Sequence, residues 1–129
     1  MNIIHGLSKT GKTKKILEEY GNREDSIIIS SYKSLFNCPI DSDNINNIIR
    51  VESFYDQYID NIRARNKKDG CSFLLKNTLL DYYYRNKMYN NIIVDIDINY
   101  EDLIKIDLGQ DLERLVITAL SKERELKVS

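Results

Sequence analysis

Gly6, Gly11, Lys12 and Thr13 stand in the stretch "NIIHGLSKTGKT" at the spacing G-x-x-x-x-G-K-[ST]. Each residue type has a task at that spacing. The two glycines allow turns and close approaches that a Cβ obstructs. The backbone N–H groups of Gly6, Leu7, Ser8, Lys9, Thr10, Gly11, Lys12 and Thr13 are then expected to face inward, toward phosphate oxygens. The helix that follows adds its positive N-terminal end. Lys12 would reach the β- and γ-phosphates, and the Thr13 hydroxyl would ligate Mg²⁺. The expected chemistry is the binding of a nucleoside triphosphate, with ATP and Mg²⁺ as the expected ligands.

A second stretch, "NNIIVDIDIN", carries two acids. An aliphatic run ending in Asp95 suits a strand whose carboxyl end presents the acid to the cation. It would act through a water and the loop hydroxyl. On its own the run also fits a buried strand leaving into an acidic turn; the phosphate loop is what favours the metal-side role. The strand of Asp95 is expected beside the first one. Asp97 shares its face, because alternate strand residues point the same way. The expected catalytic set is therefore Lys12, Asp95 and Asp97, with Thr13 and Asp95 as the metal set. Glu52, at the end of "RVES", is a further candidate carboxylate.

These residues need elements to position them. "NIIH", "SIIIS", "NNIIRVES", "NNIIVDID" and "RLVITAL" read as strands, the first, fourth and fifth as central ones, because continuous aliphatic runs suit burial on both faces. "RELKV" reads as a small edge strand. "GKTKKILEEY" has helical spacing and "GN" stops it. "FYDQYIDNIRAR" is expected to be a helix with Phe54, Tyr58, Ile59 and Ile62 on one face. "CSFLLKNTLLDYYYRNKMY" is expected to be a second, apolar at Phe73, Leu74, Leu79, Leu80 and Tyr83, and "NYEDLIKIDLGQ" a short third. Pro39 lies in an expected loop, "FNCPIDSDN". Strands alternating with helices predict an α/β domain with a mainly parallel sheet covered on both faces.

The 129 residues fit one domain, 1–129, with a core that needs neither disulfide nor metal. A formal charge of −1 carries no sign of a nucleic-acid-binding surface. Cys38 and Cys71 lack C-x-x-C spacing and suit free thiols in a reducing compartment. No apolar run reaches signal-peptide or membrane-spanning length, so a cytoplasmic protein without membrane contact is expected.

With both stretches in place, the chain resembles the P-loop NTPases with a RecA-like core, and within them the first ATPase domain of superfamily 1 helicases. "SIIISSYKSLF" falls where that family has its second strand and Ser/Thr segment. "RVESFYDQYI" is similar to its T-x-x-S-F segment, "YNNIIVDIDIN" to its aliphatic strand ending Asp-Glu, and "RLVITAL" to the strand before the next helicase motif. The resemblance implies a single three-layer P-loop NTPase domain. It also implies a glutamate directly after Asp95 that orients the attacking water, and here that position is Ile96. Asp97 is the nearest replacement. Neither an upstream adenine-recognition glutamine nor a second RecA-like domain with an arginine finger is expected from these residues. DNA translocation by these residues alone is not expected.

The readings that remain are a helicase-like ATPase core with weak or partner-dependent hydrolysis, a small nucleoside or nucleotide kinase, and a non-enzymatic interaction module. A kinase wants an Arg-rich lid, for which "RARNKKDG" is the one candidate. Arg63 to Lys68 could touch a phosphate backbone, although such runs are more often solvated helix ends. Tyr82, Tyr83 and Tyr84 could stack on bases, but one or two rings in a core explain them as well. His5 is either near the nucleotide or structural at a strand end. A protein partner and nucleic acid both stay open as second ligands.

Overall fold

The structure, a computed structural model, describes the backbone of residues 1–65, 71–110 and 112–129, with side chains described for all of these except 60–65 and 71. Six strands form one sheet: β1 (Asn2–Gly6), β2 (Ser26–Ser31), β3 (Ile48–Val51), β4 (Asn91–Asn99), β5 (Leu115–Leu120) and β6 (Lys127–Val128). Their order is β3-β2-β4-β5-β1-β6. Every pairing is parallel except that of β6 with β1. The protein is thus mixed α/β with a mostly parallel sheet.

Among the described residues five α-helices connect the strands: α1 (Lys12–Tyr20), α2 (Tyr32–Phe36), α3 (Phe54–Arg65), α4 (Cys71–Arg85) and α5 (Tyr100–Ile104). Ile16 and Leu17 of α1 and Leu35 of α2 pack with Ile4, Ile28, Ile93 and Val116. Phe54 of α3, Leu75 and Leu79 of α4 and Leu103 of α5 pack with the alternate strand residues, among them Ile29, Val94, Ile96, Ile98 and Ile117. Two apolar clusters therefore lie on opposite faces of one sheet, as the period of two along a strand requires. This is why β2, β4 and β5 need aliphatic residues at nearly every position.

Several elements differ from the sequence reading. "YKSLF", to which the sequence reading assigns no element, is a short helix that Ser31 caps: its Oγ accepts from the Ser34 N–H at 3.0 Å. The loop around Pro39 contains a 3₁₀ turn at Ser42–Asn44. Helix α5 is only five residues long, capped by Asn99. Phe73 is exposed, and Leu75 takes the buried position expected of its neighbours. Helix α4 ends at Arg85. β5 stands between β1 and β4, so the strand of Asp95 is second from β1 and not beside it.

The parallel strands end together. The segments after β1, β2 and β3 and the last residues of β4 and β5 line one cleft of about 790 Å³. In open α/β sheets this is the end where ligands bind.

Candidate functional site

The segment from Leu7 to Gly11 turns the chain from β1 into α1. Gly11, at φ 90°, is the left-handed residue before the helix. No atom lies within 4 Å of where its Cβ would be. Gly11 is therefore required by its dihedral, not by space. Lys9 is also left-handed, at φ 65°.

The Leu7 carbonyl is the hub of the turn. It accepts from Thr10 Oγ1 at 2.6 Å and from Lys12 Nζ at 2.7 Å. Lys12 Nζ also donates to the Gly6 carbonyl at 3.1 Å. Burial lowers the Lys12 pKa, and the charges of Asp95 and Asp97 oppose that shift. A half-buried ammonium held by neutral carbonyls gains from exchanging one of them for a phosphate oxygen, since charge-assisted bonds are roughly twice as strong. Ser8 through Thr13 line the cleft. Gly6 is buried and the Leu7 side chain is exposed, and neither lines the cleft.

Asp95 has almost no exposed surface. Three hydroxyls satisfy it: Thr13 Oγ1 donates to Oδ2 at 2.8 Å, Ser30 Oγ to Oδ2 at 2.8 Å, and Thr118 Oγ1 to Oδ1 at 2.5 Å. They come from α1, β2 and β5. Burial raises the Asp95 pKa, the three hydroxyl bonds lower it, and the Asp97 charge raises it further. The desolvation of a buried carboxylate outweighs the hydroxyl dipoles here.

This arrangement fits a hard cation carried on phosphates. Among the described residues no group of three or more His, Cys, Asp or Glu is arranged to hold a metal. Mg²⁺ beside a nucleotide needs no such cage, only one or two protein oxygens with phosphate and water. Thr13 Oγ can donate its proton to Asp95 and still offer a lone pair toward the cleft.

Asp97 is arranged differently. β4 pairs Val94 with Ile117 and Ile98 with Ala119, so three residues of β4 stand against Thr118 alone. Asp97 takes φ 61° in this irregular stretch. Its Oδ1 accepts from Ser34 Oγ at 2.9 Å and its Oδ2 from Ser31 Oγ at 3.3 Å. Asp95 and Asp97 both line the cleft. Ile96, between them, has no exposed surface and belongs to the cluster with Val94 and Ile98.

The other candidates lie elsewhere. The Glu52 side chain is exposed and does not line the cleft; its neighbours Ser53, Tyr55 and Asp56 do. The His5 ring is buried, bonded to Ser121 Oγ at 2.9 Å and Ser129 Oγ at 3.1 Å, and stacked on Tyr100. These partners explain it as a structural residue. Tyr82 and Tyr83 pack against the core, and Tyr84 is half exposed. The side chains of Arg63 to Lys68 lie outside the described residues.

Sequence reasoning did not assign Ser30, Thr118, Ser31, Ser34 or Lys33 to the site. The signal for two of them was present. Ser30 ends an isoleucine run and Thr118 interrupts "LVITAL". A hydroxyl inside a doubly buried strand must bond to something, and an acid on the strand between is the nearest partner. No described helix is long and apolar enough to cross a membrane. Comparison with protein-family models, curated proteins and solved structures gives no match to this chain.

Proposed function

We propose that this chain is a nucleoside-triphosphate-binding P-loop domain, a helicase-like ATPase core of the three-layer type, with weak or partner-dependent hydrolysis. One observation carries the reading. The Thr13 hydroxyl of the G-x-x-x-x-G-K-T segment is bonded at 2.8 Å to the buried Asp95, 82 positions away in the sequence. Two motifs that are weak or moderate alone meet at the one contact that holding Mg²⁺ on a triphosphate would need.

In this reading the N–H groups of Ser8 to Thr13 hold the phosphates and Lys12 offsets their charge. Thr13 and Asp95 would hold Mg²⁺, which would supply charge neutralisation to the phosphates. Asp97 orients the attacking water. The water oxygen bonds to the γ-phosphorus as the bond to the bridging oxygen breaks. The electron pair leaves with the diphosphate, and the water proton passes to Asp97. Aspartate is shorter than the glutamate of the resembling family, which supports slow turnover.

The test is ATP binding with and without Mg²⁺, together with steady-state phosphate release. Binding is expected to be Mg²⁺-dependent, and release to fall below the roughly 1–10 s⁻¹ of ordinary enzymes. Label moving from ATP to an added nucleoside would replace this reading with the kinase one. Absence of nucleotide binding would leave the interaction module.

A further inference from the structure

Asp97 does not reach the cleft as a free strand-end carboxylate. Ser34, in the first turn of α2, donates its hydroxyl to Asp97 Oδ1 at 2.9 Å, and the single hydroxyl proton of Ser31, at the end of β2, is shared between Ser34 Oγ at 2.8 Å and Asp97 Oδ2 at 3.3 Å. Ser31 Oγ also accepts the Ser34 N–H at 3.0 Å. The network fixes the carboxylate plane from one side. Each oxygen keeps lone-pair capacity on the other, since an ionised carboxylate has about four acceptor sites. The Asp97 backbone is in the left-handed region, which few non-glycine residues adopt and Asp adopts more readily than most. A side chain so placed is held by its partners rather than by regular strand geometry.

We infer that Ser34, supported by Ser31, is a positioning residue for Asp97, so that the setting of α2 controls how well this site activates water. The inference rests on the nucleotide-binding reading above. Helix α2 and the residues just after it also give the cleft Lys33, Asn37 and Cys38. Movement of α2 would therefore shift Asp97 and that wall together. This gives partner-dependent hydrolysis a physical route: a ligand that displaces α2 changes the rate without touching the phosphate loop.

The experiment compares wild type with Ser34→Ala, Ser34→Thr, Asp97→Ala and the double variant Ser34→Ala/Asp97→Ala. Ser34→Ala keeps the α2 cap, which uses the Ser34 N–H. It is expected to lower kcat for phosphate release about tenfold, a part of the 10²–10⁴ that a positioned acid or base contributes. KM and ADP affinity are expected to stay within about twofold. Ser34→Thr retains the hydroxyl and is expected to recover most of the rate. The double variant is expected to be no slower than Asp97→Ala, because one residue acts through the other.

A second readout does not need turnover. ADP with aluminium fluoride and Mg²⁺ mimics the in-line arrangement with a water. Wild type is expected to trap it more tightly than Ser34→Ala by a similar factor. Wild-type rate and trapping in Ser34→Ala, or additive losses in the double variant, would overturn the inference while leaving nucleotide binding intact. A wild type that binds nucleotide yet neither turns over nor traps the analogue would overturn it too. Failure of nucleotide binding itself marks the failure of the underlying reading.

Discussion

Ile96 and Asp97 are sequence neighbours with opposite surroundings: Ile96 is sealed in the apolar cluster with Val94 and Ile98, and Asp97 opens to the cleft. In the helicase-like reading proposed above, a glutamate would stand at the position of Ile96. Here that side chain points into the core. Restoring the family residue would not restore its chemistry. Ile96→Glu is expected to bury a carboxyl without a partner and to destabilise the fold by on the order of 3–5 kcal/mol. Urea denaturation checks this. A wild-type midpoint combined with faster phosphate release would contradict it.

Thr13 is expected to matter through the cation. Thr13→Val keeps the branched shape and removes the hydroxyl that donates to Asp95. ATP affinity in Mg²⁺ is expected to fall about tenfold, or ~1.4 kcal/mol. Affinity in EDTA should change far less. Paired titrations of a fluorescent ATP analogue measure both, and an equal loss in the two conditions would count against a metal role.

Asp95 gives a pH dependence. Burial raises its pKa above the ordinary 3.8, so the folded state holds the proton more tightly than the unfolded state. Stability from this group is full below that ordinary value and is lost as pH rises through the raised one. Asp95→Asn removes the dependence. Without metal, the variant is expected to melt above wild type at pH 7, with the gap closing toward pH 4. The same variant is expected to lose Mg²⁺-dependent nucleotide binding. Thermal melts in EDTA across this range decide the first point; a variant less stable at pH 7 would contradict it.

Gly11 separates dihedral from space. Its Cβ site is open, yet its φ is 90°. Gly11→Ala is expected to cost about 1–2 kcal/mol of stability. Gly11→Asn is expected to cost less, since Asn enters the left-handed region more readily. Equal melting temperatures for wild type and Gly11→Ala would show that the turn relaxes.

The legible parts of this protein are those with period and run length. β1, β2, β4 and β5 carry aliphatic residues on both faces and so announce buried parallel strands. The turn from β1 into α1 is legible because Gly6 closes an aliphatic run and Gly11 precedes a helically spaced segment. Helix α2 was hidden because its five residues, Tyr32–Phe36, are too few to show a helical period; only the Ser31 cap, three residues before Ser34, marks its start. The irregularity at Asp97 was hidden for another reason. Alternation puts Asp95 and Asp97 on one face but says nothing about three residues standing against Thr118. That feature depends on the register between β4 and β5, which no local pattern carries. Glu52 looked like a site acid because it ends a strand, but β3 is an edge strand and its side chain is exposed.

Lys12 is the residue on which the central claim depends most directly. Its ammonium is held at the mouth of the loop by the Leu7 and Gly6 carbonyls. In the proposed complex it trades that contact for phosphate, a charge-assisted bond of about 1.5–3 kcal/mol. The measurement is equilibrium titration of a fluorescent ATP analogue with Mg²⁺ into wild type and Lys12→Ala, with folding of the variant checked by circular dichroism. Wild type is expected to bind saturably, and the folded variant to bind at least tenfold more weakly. Equal affinities, or no binding by wild type, would contradict it.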